Sequence, residues 1–361
     1  MKILDRYIVK TMTSYTLGVM LIWVGIYSFF RFLDEVNDIG QANYTIIEAI
    51  TYISLKLPNI ISEHSSVVIL LGALLALGHL ATTSQLIIIR GSGVSIMSIA
   101  KIVIKTTLVF VMVTILVGEF LAPKATQYAE NLRAKALGYN IQAEVQQGFW
   151  VKDNNTIIHV NKNFDGQLLG DVTLIKLKNS NTLESVTHAD KAIFDGESLK
   201  LEKSDDYQVG RKKDQFNNVD YEQFEQYQTQ VSFDQEFIAS LRKEPYELST
   251  WYLFKQIRFL SENNLASGVF EVELYKRIVK PFTLVAMVLL SMLFIFGSLR
   301  DASLGKKIFL GVMLSLFFEL FSRIGGVLSL RLDYNHFLIA SMPTLVIMVF
   351  ALILLKRKSA Q

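Results

Sequence analysis

Six stretches of roughly twenty mostly apolar residues constrain this chain more than any other feature, because a hydrocarbon layer about 30 Å thick is crossed by about 20 helical residues rising 1.5 Å each. They cover approximately residues 12–32, 52–80, 96–118, 279–299, 308–328 and 337–355. The second is the most interrupted: Pro58, Glu63 and His64 break it and leave residues 67–80 as its clean part. Composition points the same way, with 51% hydrophobic residues, a mean hydropathy of +0.34 and only 19% charged residues, against about 25% charged in a soluble domain. The first span follows a basic flank, "MKILDRYIVK", but no small-residue cleavage site comes after it, so it is expected to be retained.

The sign and position of charge set an orientation. Lysine and arginine accumulate beside spans on the cytoplasmic side, and twelve of them, including Lys2, Arg6, Arg90, Lys306 and Lys356, flank one set of span ends. The opposite ends carry four: Arg31, Lys56, Arg323 and Arg331. Both termini are therefore expected in the cytoplasm and the long segment between the third and fourth spans outside it. The total charge of +3 does not describe a nucleic-acid binder, which gathers basic residues on one face.

The external segment has little helical periodicity. It reads as short strands, "GFWVK", "TIIHV", "DVTLIKL", "KAIF", "SLKLEK" and "TQVSF", with turn signals at Asp153-Asn154-Asn155, Asp165-Gly166, Asn179-Ser180-Asn181 and Asp195-Gly196. An all-β domain of sandwich or jelly-roll type is expected. Alternation is clean in "SLKLEK" but poor in "VTLIKL", which fits either a two-sheet core or an open apolar groove for acyl chains. The flanking "APKATQYAENLRAKAL" and "STWYLFKQIRFLSENN" have helical spacing and would carry the domain on stalks. The expected plan is an α-helical membrane protein with six transmembrane helices plus an external all-β, jelly-roll-like domain inserted between helices 3 and 4. Its parts are residues 1–138 with three spans, 139–243 with the β domain, and 244–361 with a connecting helix and three spans.

Several chemistries find no support. There is no G-x-x-x-x-G-K-[ST] loop to cradle nucleotide phosphates, so any ATP would be bound by a partner ATPase. "RGSGVS" at residues 90–95 follows no strand of a βαβ unit and reads as a cytoplasmic turn. Without cysteine, thiolate metal sites and cysteine nucleophiles are excluded. The five histidines show no metal-ligand spacing, "DNNT" lacks the later ligands of a calcium loop, and no G-x-S-x-G elbow occurs. An enzyme site, a cofactor and a metal site are therefore not expected in this chain.

Charges within the spans are more telling, since an ionised group there is costly and faces an interior, water or a partner. Glu319 and Arg323 stand four residues apart in "SLFFELFSRIGG", in the acid-first order that favours a helical ion pair. They could neutralise each other inside the bundle, or Arg323 could line a path for an anionic substrate. Arg31 in "SFFRFLDEVN" lies about 20 residues into its helix, near the outer headgroup layer. There it could snorkel, pair with Asp34 or Glu35, or meet a substrate. "TTSQLIIIRGSGVS" at residues 82–95 is polar at its ends and apolar at Leu86–Ile89. It reads as a short cytoplasmic helix that rests on a partner or is buried against its own bundle.

With six spans, a large external β insertion and no ATP loop, the chain resembles the LptF/LptG permease family, the membrane subunits of lipopolysaccharide exporters. The likeness covers nearly the whole chain. It is carried by "LDRYIVKT" (4–11), "LLGALLALGHLATTSQL" (70–86), "SG" (92–93), "GEFLAP" (118–123), "NLRAKAL" (131–137), "QQGFWVKD" (146–153) and "FIFGSLRDASLGKKIFLG" (294–311). The first of these with "FFRFLDEV" and "NLRAKAL" is nearer to the LptG branch than to the LptF branch.

The resemblance implies an LptF-like permease as partner, an LptB-like ATPase dimer below, an LptC-like single-span protein, and an LptA-like periplasmic bridge protein that receives lipopolysaccharide. It implies that Arg31, Asp34 and Arg133 face lipid A phosphates, where a guanidinium fork suits the geometry. It further implies that residues 82–95, through Gln85, Leu86, Ile89 and Arg90, seat in the ATPase as a coupling helix. The chain departs from the family pattern at Gln85, where a glutamate is usual, at Asn37 and Asp38, where basic residues are familiar, and at Ser66, in place of a proline. The rival readings are the LptF seat, a permease of another family such as a lipoprotein extractor, and a receptor or scaffold that transports nothing.

Overall fold

Where apolar side chains surround the backbone on every side, the peptide groups have to bond within their own segment, and the helix is the form that allows it. A computed structural model describes residues 3–137, 149–163, 167–179, 182–212, 215–234, 237–238, 245–296, 302–332 and 334–359. Six of its helices are long and apolar enough to cross a membrane. The chain divides into two units: one of Met1–Ile39, Ile46–Glu130 and Gly268–Gln361, the other of Gly40–Thr45 and Asn131–Ser267.

In the spanning unit, α1 (Ile3–Glu35) is followed by α2 (Ile46–Glu63) and α3 (Ser65–Thr82). The short α4 (Gln85–Gly91) and the span α5 (Ile96–Leu116) come next. The second expected span is thus two helices that meet at His64, with the apolar part, α3, beginning where Ser65 restores a run free of charge. The third span continues through a π-helical turn (Val117–Leu121) into α6 (Ala122–Ala136). The wider turn sits directly before Pro123, whose ring would clash with the carbonyl of Glu119 four residues back in a regular helix.

After the β strands come the amphipathic α7 (Thr250–Glu262), then α8 (Gly268–Ile295), α9 (Leu304–Leu332) and α10 (His336–Ser359). α8 begins at Gly268, about three turns earlier than the apolar run at residue 279 indicates.

α3 is apolar around its whole circumference and is the centre of the bundle: 72% of its spanning window is buried, against 6% for α1 and 17% for α9. Small residues let its neighbours approach. A Cβ added at Gly72 would lie 2.6 Å from the backbone Cα of Thr16 in α1, and one at Gly311 in α9 would lie 2.5 Å from a methyl of Leu71. At the end of α3, Lys307 of α9 lays its stem over Gly78 and donates its Nζ to the Gly78 carbonyl at 3.1 Å.

The other unit holds six strands, β1 (Phe149–Asp153), β2 (Thr156–Asn163), β3 (Leu168–Asn179), β4 (Thr182–Phe194), β5 (Ser198–Lys212) and β6 (Gln215–Gln230). They form one antiparallel sheet in chain order, whereas a sandwich with Greek-key connections would make non-consecutive strands neighbours. The buried face, from Val151 and Ile158 through Leu174 and Leu201, is completed by Phe233, Phe237 and Ile238, and by Phe259 of α7. The connecting helix, grouped with the later spans on sequence, therefore packs into the β domain's core.

Turns fall where the sequence signals them. Asn154 is left-handed (φ 52°) in the β1–β2 turn and Gly196 (φ 100°) in the β4–β5 turn. The signal at Asp165-Gly166 lies outside the described residues, as do Ser180 and Asn181.

The poor alternation in "VTLIKL" has a structural cause. Leu169 and Val172, Ala189 and Ala192, and Leu201 and Ser204 are all buried although each pair is three residues apart. Val172 pairs with Ala189 and Ala189 with Ser204, so the in-and-out pattern slips by one residue at the same level in three neighbouring strands. Asp171 (φ 52°) and Lys203 (φ 51°) take the left-handed backbone that permits the slip.

Two outcomes follow. Gly72→Ala, which forces backbone apart, is expected to cost about 1–3 kcal/mol as overpacking does, while Gly25→Ala, with nothing within 4 Å, leaves the melting temperature of the detergent-solubilised protein unchanged. In the β domain, partial burial pushes the Asp234 carboxyl up, but Lys255 of α7 (2.7 Å) and the Phe237 N–H (2.8 Å) outweigh it and hold it below the usual range. A carboxyl depressed in the folded state stabilises above its unfolded value of about 3.9 and loses that contribution as pH falls through the folded value. Thermal melts between pH 5 and 2 are therefore expected to show an acid loss that is smaller in Asp234→Asn.

Candidate functional site

Arg31 lies one turn before the end of α1, exposed, and its Nη2 donates to Tyr27 Oη at 3.0 Å, with the guanidinium carbon 5.3 Å from the Tyr27 ring centre. The hydrogen bond goes back along the helix, not forward to Asp34 or Glu35. That leaves most of the five-donor fork directed outward. Asp34 is exposed. Glu35, which sequence leaves as a helix-end charge, is the last residue of α1 and is buried.

Glu319 and Arg323 form the expected pair, Nε to Oε1 at 2.8 Å. It does not lie inside the bundle: the side chains are 55% and 66% exposed on a helix that is itself little buried. Arg323 thus reaches the unit's surface with part of its fork free. Arg133 stands in the last turn of α6 and belongs to the other unit.

Sequence reasoning missed the residues behind Arg31. The ring of His64, in the break between α2 and α3, lies 4.7 Å from that of Tyr27 and 5.9 Å from that of Trp23. Beside it, Lys280 of α8 donates to the Ser62 carbonyl at 2.5 Å. The one available signal was a lysine directly before Pro281 at the start of an apolar run.

The short helix α4 divides its residues by its 3.6-residue period. Leu86 and Ile89, three apart, turn into the bundle core and are buried. Of the two placements that the sequence leaves open, these two residues take burial against the chain's own bundle. Ile87 and Ile88 are the exposed pair, at 46% and 70%, with Arg90 also exposed. Gln85 is engaged within the chain: its Oε1 accepts from Tyr7 Oη of α1 at 2.7 Å.

The family described as "Lipopolysaccharide export system permease LptF/LptG" matches residues 6–357. The chain belongs to the LptF/LptG permease family. Among its relatives are the "Lipopolysaccharide export system permease protein LptG" of Escherichia coli (strain K12), 28% identical over 359 residues, and its namesake from Haemophilus influenzae, 30% identical over 355. The first alignment covers 99% of both chains and the second 98% of both. Within an LptF/LptG permease, the geometry supplies an outward guanidinium at the end of the first span, a second on the fifth, and a short helix whose exposed face is Ile87, Ile88 and Arg90.

The Tyr7–Gln85 bond yields a measurable outcome. Tyr7→Phe removes one hydrogen bond worth about 1 kcal/mol, so amide exchange across Gln85–Gly91 is expected to speed up about fivefold while exchange in α3 is unchanged.

Proposed function

We propose that this chain is the LptG-type permease subunit of a lipopolysaccharide exporter, extracting lipopolysaccharide from the outer leaflet of the inner membrane and passing it toward a periplasmic bridge. The observation that carries this is the nearly end-to-end match to proteins named LptG, and the LptF seat is not favoured. On this reading both termini are cytoplasmic, in line with the twelve-to-four charge asymmetry, and the β domain is periplasmic. An LptF-like permease completes the cavity, an LptB-like ATPase dimer binds ATP, and LptC-like and LptA-like proteins receive the lipid.

Physical chemistry assigns the parts. Arg31, Arg323 and Arg133 attract the anionic groups of lipid A, each guanidinium offering a planar fork to phosphate. Asp34 accompanies Arg31 at the end of the first span and limits the local positive charge. Exposed apolar residues of α1 and α9 face acyl chains or the partner permease. Closure of the ATPases acts through α4: Ile87, Ile88 and Arg90 meet the ATPase, while Leu86, Ile89 and the Tyr7–Gln85 bond fasten that helix to the bundle.

In the reconstituted complex, Arg31→Glu is expected to lower lipopolysaccharide release at least tenfold while assembly with the ATPase and second permease is unchanged. Unaltered release would remove Arg31 from the lipid path. Ile87→Ser with Ile88→Ser is expected to weaken co-purification of the ATPase, and normal co-purification would remove α4 from the interface.

A further inference from the structure

The second span is interrupted within the membrane-spanning unit. α2 ends at Glu63 and α3 begins at Ser65, and a helix end leaves its last carbonyls without intrahelical partners. A carbonyl left unbonded among packed helices costs free energy unless another group donates to it. The Ser62 carbonyl receives two donors from elsewhere: Ser65 Oγ at 2.8 Å and Lys280 Nζ at 2.5 Å, the ammonium also lying 3.4 Å from Ser62 Oγ. An ammonium at a helix C-terminus has the sign that the helix dipole favours. Among the described residues Lys280 forms no ion pair within 4 Å; its direct partners are the Ser62 carbonyl and hydroxyl.

The break fixes His64. Its N–H donates to the Ile60 carbonyl at 3.0 Å and its own carbonyl accepts from Val68 at 3.1 Å, while its Nε2 is buried with no hydrogen-bond partner among the described residues. The ring therefore takes its place from the backbone geometry of the break and from packing on Tyr27 and Trp23. Tyr27 is in turn the hydrogen-bond acceptor of Arg31. A connected path runs from Lys280 through Ser62, His64 and Tyr27 to the exposed guanidinium.

We infer that Lys280 is a positioning residue for Arg31: by closing the break in the second span it holds His64 against Tyr27, and Tyr27 holds the guanidinium ready for an anionic group. The inference rests on the reading of Arg31 as a contact for the phosphates of the transported lipid. Lys280 touches no substrate in this scheme. Its effect is to reduce the side-chain freedom that Arg31 loses on binding, which corresponds to about threefold to tenfold in affinity.

The test uses the complete exporter in vesicles with lipopolysaccharide at increasing mole fraction, measuring the half-saturating fraction and the maximal release rate separately. Tyr27→Phe keeps the ring and removes the acceptor, Lys280→Met removes the ammonium, and Lys280→Arg keeps a cationic donor. The first two are expected to raise the half-saturating fraction about threefold to tenfold with the maximal rate unchanged, and Lys280→Arg to stay near the parent. In an Arg31→Ala background neither should add a further shift, since residues on one path are not additive. If Lys280→Met does not assemble, Lys280→Gln, with a neutral and shorter donor, is read for the same shift. Shifts that add fully to Arg31→Ala, or a fall in maximal rate alone, overturn the inference. If Arg31→Ala shifts the half-saturating fraction while Tyr27→Phe and Lys280→Met do not, the inference falls and the lipid-contact reading stands. If Arg31→Ala itself changes nothing, both fall.

Discussion

The fold depends on a single constraint, that a backbone polar group in hydrocarbon has to find its partner within the protein. Where the sequence allows an unbroken helix the constraint is met locally, as in α1 and α9, which have no proline in their interior. Where it does not, another helix supplies the missing donor. Lys280 does this for the Ser62 carbonyl, while Lys307 adds a donor to the Gly78 carbonyl, which Thr82 Oγ1 also reaches, and both lysines tie a later span to the broken second one. The irregular places are therefore also the cross-braces of the bundle. Gly118, in the π-helical turn of the third span, lies against Ser62 so closely that a Cβ would come within 2.5 Å of its hydroxyl.

Six spans and an inserted β domain were legible because both rest on strong local patterns: long apolar runs and turn residues that bound short apolar ones. The break at His64 was legible as well, since Pro58, Glu63 and His64 interrupt an apolar run. Less legible was where each strand ends. β4, β5 and β6 extend far into polar sequence, for example "QFNNVDYEQFEQYQTQ", because a strand open on one side to water needs apolar residues only where something covers it. The slip shared by β3, β4 and β5 erased the simple alternation, and only pairing between strands reveals that Val172, Ala189 and Ser204 stand in one row.

The candidate site was half legible. Arg31 and the Glu319–Arg323 pair stand out because charge is rare in the spans, but their surroundings depend on contacts far apart in sequence. Tyr27 reads as one more aromatic near a membrane edge until His64 is found on its other side. In α4, composition marks an apolar centre without saying which residues face out. The helical period decides that Leu86 and Ile89 belong to the core and Ile87 and Ile88 to whatever lies outside.

These placements give the two least buried regular spans a common character. α1 and α9 each touch the central α3 at a small-residue contact, Thr16 on Gly72 and Gly311 on Leu71, and each leaves many large apolar side chains exposed. Each also carries an arginine whose one described hydrogen bond or ion pair is made to its own helix four residues earlier, Arg31 to Tyr27 and Arg323 to Glu319. A guanidinium fastened in this way by part of its fork keeps its remaining donors directed outward at low entropic cost. A snorkelling arginine needs only to reach water, and nothing in that task requires a tyrosine, a histidine and a lysine ranked behind it. The ordered support behind Arg31 is the observation on which its proposed role as a binding group rests.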